Sequence, residues 1–120
     1  MAIGELYDVV FDCPDPAALA EFYRQVVGGE IVDSDSDWFT LATPNGRRVS
    51  FQRVDDYTPP RWPGQELPQQ IHLDVMVTDL DAAEPLVLAQ GATLLRGSDK
   101  PVGFRVYADP AGHPFCLVTN

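Results

Sequence analysis

Seven side chains able to bind ligands or move protons recur at matched spacings in this sequence: Asp8, Asp12, Ser50, Gln52, His72, Asp74 and Cys116. Each lies in or beside a short apolar run that reads as a strand. Side chains on a strand alternate between its two faces. Val9, Phe11 and Cys13 therefore oppose Asp8, Val10 and Asp12, while Leu73, Val75 and Val77 oppose His72, Asp74 and Met76. Val49 and Phe51 likewise oppose Arg48, Ser50 and Gln52, and Phe115 and Leu117 oppose Pro114, Cys116 and Val118. The apolar sets are expected to pack under helices and the mixed sets to line a concave face. A plain core would not gather three carboxylates and a histidine, because unpaired buried charge is costly. The chemistry implied is proton transfer, with His72 held by Asp8 or Asp74 acting as a general acid or base. Gln52 would add hydrogen bonds, and Trp38, Phe39, Trp62, Phe104 and Tyr107 would either stack on a flat ligand or belong to the core.

Each of these residues also has a plainer reading. Asp12 and Asp74 can cap turns or pair with Arg48 or Arg105. His72 can be a hydrogen-bonded structural histidine, and Cys116 a small buried apolar group. His113, in the final turn, reads as solvated.

The elements that must position these groups form an internal repeat. Asp8-Val-Val-Phe-Asp-Cys-Pro-Asp15 resembles His72-Leu-Asp-Val-Met-Val-Thr-Asp79 at an offset of 64. Each is an apolar run ending in an Asp suited to cap a helix. The helices predicted are Pro16–Val27, with Leu19, Phe22, Tyr23 and Val26 on one stripe, and Leu80–Ala89, which Pro85 should shorten or bend. Gly28-Gly29 and Gly91 then stop the helices before a further strand. Leu41-Ala-Thr-Pro-Asn-Gly46 and Tyr107-Ala-Asp-Pro-Ala-Gly112 read as hairpin turns, now offset by 66. The predicted fold is α+β, two tandem βαβββ units in one domain. The first unit spans residues 1–54 and the second 71–120, joined by a proline-rich linker over 55–70.

Composition narrows the function. The chain has 120 residues, with 18 acidic and 8 basic side chains and a formal net charge of −10. Eight scattered cations do not make a phosphate-binding surface, so nucleic acid is not an expected partner. No run approaches a membrane span, and the start lacks a basic, cleavable leader, so a cytoplasmic protein is expected. Cys13 and Cys116 form no spaced metal motif and read as reduced, buried thiols.

The repeat, with Asp15-Pro-Ala-Ala-Leu-Ala-Glu-Phe-Tyr-Arg24 and Asp109-Pro-Ala-Gly-His-Pro-Phe-Cys-Leu117, resembles the vicinal oxygen chelate superfamily. Its nearest likeness is to the small glyoxalase and bleomycin-resistance-like proteins common in bacteria. The resemblance implies a cup-shaped mixed sheet, a cleft between the two units that takes a small organic molecule, and a fold that often pairs into a homodimer. It also implies four equivalent metal-ligand places, which fall here on Asp8, Ser50, His72 and Cys116. Ser50 is a poor ligand and Cys116 serves only as a thiolate, so no cofactor is expected. If a divalent metal binds, Asp8, His72 and Cys116 would hold it. Two functions follow as expectations: a metal-free small-molecule pocket using Asp8, Asp12, Ser50, Gln52, His72, Asp74 and Cys116, or a metal-dependent lyase, isomerase or dioxygenase. An accessory domain that acts by dimerising is the third class.

Overall fold

The computed structural model describes residues 2–119. Its elements run β1 (Val9–Cys13), α1 (Pro16–Val27), β2 (Glu30–Ser34), β3 (Trp38–Ala42), β4 (Arg48–Arg53), β5 (Leu73–Met76), α2 (Leu80–Ala89), β6 (Thr93–Arg96), β7 (Phe104–Ala108) and β8 (Pro114–Val118). The fold is thus α+β, two βαβββ units, and the chain divides by its contacts into one unit up to Tyr57 and one from Thr58. Among the described residues, no helix is long and apolar enough to cross a membrane.

Each unit forms a four-stranded mixed sheet, in the orders β1-β4-β3-β2 and β5-β8-β7-β6. The first strand of each unit pairs in parallel with the last, and the others pair antiparallel. The repeat extends to irregularities, because the β2–β3 ladder shifts between Ile31 and Asp33 and the β6–β7 ladder between Leu94 and Arg96. Such bulges sharpen local twist and help a sheet curl.

Local chemistry sets the helix ends. Asp15 Oδ1 accepts from the Ala18 amide at 3.2 Å, and Asp79 Oδ1 accepts from Asp81 and Ala82 at 2.9 and 3.3 Å. These carboxylates satisfy amides that have no partner within the helix. Asp79→Ala should therefore lower stability by about 1 kcal/mol in denaturant titration, with α2 as the affected element. Pro85 removes one amide donor, yet α2 continues through it to Ala89. Behind α1, Gly29 adopts φ +99°, and a Cβ there would stand 2.1 Å from the Ala42 carbonyl oxygen. Only glycine permits that approach of β2 to β3.

The two units fill their interiors differently. In the first, Phe51 lies under α1 with its ring stacked on Tyr23 at 5.6 Å and edge-on to Phe11 at 5.9 Å. In the second, Leu80, Tyr107, Phe115 and Leu117 are fully buried, but Arg105 joins them at 4% exposure. Its guanidinium meets Asp81 at 2.6 Å and donates to the Leu80 and Lys100 carbonyls at 3.4 and 3.2 Å. Tyr107 Oη donates to Glu84 at 2.8 Å, and Glu84 stands 3.5 Å from the same guanidinium. Where the first unit packs α1 on aromatic rings, the second ties α2 down through Arg105.

Candidate functional site

The parallel register of β5 and β8 sets Asp74 directly opposite Cys116, and His72 precedes β5 by one residue on the same face. His72 Nε2 lies 3.2 Å from Asp74 Oδ1, with both side chains partly open to water. One donor atom from each of His72, Asp74 and Cys116 falls within 4.8 Å of the other two. Cys116 is 7% exposed. Burial pushes its thiol up to about 11, and the charge of Asp74 and a hydrogen bond to that carboxylate add to the effect. At neutral pH Cys116 is therefore a protonated thiol donor to Asp74 and not a nucleophile.

These three residues line a hollow of about 560 Å³ in the second unit. Its walls are Trp62, Phe104, Val106, Pro114 and Val118, with Gln69 and Thr119 as further polar groups. Phe104 is 57% exposed there. Trp62 carries the guanidinium of Arg96 at 4.7 Å from its ring centre. The side chain of Gln69 holds its Oε1 out of water with no donor.

The first unit carries its own polar chain. Trp38 Nε1 donates to Thr40 Oγ1 at 2.8 Å, Thr40 and Ser50 share a hydrogen bond of 2.8 Å, and Ser50 Oγ donates to Asp8 Oδ2. Thr40 and Ser50 are register partners on β3 and β4. The other oxygen, Asp8 Oδ1, is buried without a partner. Gln52 pairs in register with Asp12 and Trp38, and lines a shallow acidic hollow with Asp35, Asp37 and Asp55. Within the first unit the structure joins Asp8 to Ser50, and within the second it gathers His72, Asp74 and Cys116.

Asp74, one of the two carboxylate partners expected for His72, pairs with that imidazole and not with an arginine, because Arg105 lies on the opposite face of its sheet with Asp81. Arg48 stacks on Tyr7, 4.4 Å from the ring centre. His113 is not solvated. Its side chain is 18% exposed and Nδ1 meets the fully buried Asp109 at 2.9 Å, while Asp109 also accepts from the Ala111 and His113 amides. That pair closes the β7–β8 turn. Gln69, Val106 and Thr119 escaped the sequence reading. Gln69 sits in an aperiodic proline-rich stretch, and alternation along β7 was the one signal for Val106.

The paired βαβββ topology defines a class of fold shared with glyoxalase-related proteins. The glyoxalase-like domain model matches residues 8–118, so the chain belongs to that family and to the vicinal oxygen chelate superfamily. A glyoxalase-related enzyme from Fulvimarina pelagi is 23% identical, with a TM-score of 0.70 over 98% of this chain and 89% of that one. A fosfomycin resistance protein from Listeria monocytogenes is 14% identical, with a TM-score of 0.74 over 99% and 93%. The bleomycin-binding protein of Streptomyces verticillus, solved with copper(II)-bleomycin, is 20% identical, with a TM-score of 0.61 over 99% of both chains. No curated protein sequence matches the chain. At these identities the likeness establishes the fold, and the fold alone does not assign a reaction.

Proposed function

We propose that the chain binds a small organic molecule in the hollow of its second unit, and that His72 and Asp74 exchange a proton with it without a metal. The hollow itself carries this reading: about 560 Å³, a mostly apolar lining and one polar cluster. That is the size and make-up of a small-molecule site. Asp74 accepting from His72 Nε2–H would leave Nδ1 as the basic atom, the arrangement of an oriented general base. The bleomycin-binding and fosfomycin resistance proteins share the fold, and their names support a small-molecule role.

A second reading rests on the same three donors. One nitrogen, one oxygen and one sulfur within 4.8 Å suit a borderline ion of the zinc class after small side-chain adjustments. Such an ion, when bound, would polarise a substrate oxygen as in a metal-dependent lyase, isomerase or dioxygenase. His72, Asp74 and Cys116 would hold it, and the thiol would have to release a proton normally kept to about pH 11.

A thermal-shift screen of small ring compounds separates the readings, run with chelator and again with zinc, nickel or manganese. The expected result is a hit in chelator that raises the melting temperature by roughly 5–10 °C at a hundredfold excess over its Kd. His72→Ala should abolish that shift. Stabilisation seen only with added metal favours the second reading, and no stabilisation in either arm overturns the proposal.

A further inference from the structure

We infer that the ligand of this hollow is an organic cation carrying an aromatic ring, held by Asp74 and the rings of its wall. The inference rests on the small-molecule reading above and names its ligand class. Among the described residues, Asp74 is the one carboxylate on the lining and His72 the one imidazole. The Nε2 of His72 is already turned to Asp74, so the imidazole is not a free anion-binding group. Asp74 also receives the Cys116 thiol, yet its side chain keeps 58% of its exposure. Its carboxylate thus remains open to a third donor.

Among the described residues the lining holds no lysine or arginine. An anionic ligand would face the Asp74 carboxylate directly, while the Arg96 guanidinium is already held against the Trp62 ring. A cation gains both the carboxylate and the negative faces of aromatic rings. Trp62 already serves as such a platform for Arg96, and Phe104 offers a second, more open ring.

Three probes with one ring system test this by calorimetric titration: naphthylmethylammonium, naphthylmethanol and naphthoate. The ammonium should bind about tenfold tighter than the alcohol, with naphthoate weakest. Asp74→Asn should reduce the preference for the ammonium to less than about threefold, whereas Phe104→Ala should weaken ammonium and alcohol together. Circular dichroism confirms that both variants fold. Equal binding of ammonium and alcohol, tighter binding of naphthoate, or a preference that survives Asp74→Asn overturns the inference while leaving a small-molecule site standing. Binding of none of the three overturns the site along with it.

Discussion

Replacing Phe51 with alanine should destabilise the protein by about 3–5 kcal/mol, the largest loss expected from any single truncation. The side chain has no exposure, and it is the common neighbour of Phe11 and Tyr23 beneath α1. Truncation removes a stacked and an edge-on aromatic contact and leaves a void that close-packed rings cannot fill. Phe115→Ala should cost less, because Phe115 stacks on Tyr107 at 5.6 Å in a unit that also relies on the Arg105 network. Denaturant unfolding followed by circular dichroism gives both values. A loss below about 1.5 kcal/mol for Phe51→Ala would mean that the first unit collapses around the gap.

The second large effect is alkaline. Cys116 titrates near 11 in the folded protein against an ordinary thiol value of 9.0, because burial and then Asp74 disfavour the thiolate. A raised folded pKa gives stability that is complete below the unfolded value and lost as pH rises through the folded one. Stability should therefore decline between about pH 9 and 11, by about 2–3 kcal/mol for this group. The Tyr107 phenol, raised by burial and by its bond to Glu84, adds a separate loss that begins near its ordinary value of 10.0. Cys116→Ala should remove the earlier part of the slope and leave the later part. Stability curves for the two proteins that fall in parallel from pH 9 would show that the thiol is not held protonated.

The sequence made the fold legible because two signals agreed. Asp15 and Asp79 marked helix starts, Gly28 and Gly91 marked helix ends, and the same order recurred at a near-constant offset. Helices at Pro16–Val27 and Leu80–Ala89 appeared as expected. Alternation likewise placed His72, Asp74 and Cys116 on one face, since a period of two needs no knowledge of neighbouring strands. What one strand cannot reveal is its register with another. That Asp74 stands opposite Cys116, and Thr40 opposite Ser50, depends on the parallel and antiparallel pairings. The Arg105 network was hidden for a related reason: an arginine amid the apolar run of β7 pairs with Asp81 and Glu84 only once α2 has packed on that strand. His113 looked solvated because a turn histidine usually is, and its partner Asp109 is recognisable only from the folded turn.

Amide chemical-shift mapping with naphthylmethylammonium tests the hollow of the second unit most directly. Saturable shifts should gather on His72, Asp74, Phe104, Val106, Cys116 and Val118, and they should vanish in His72→Ala with Phe104→Ala combined. Shifts centred on the acidic hollow of Asp35, Asp37, Gln52 and Asp55, or none at saturating probe, would contradict a ligand site built on His72, Asp74 and Cys116.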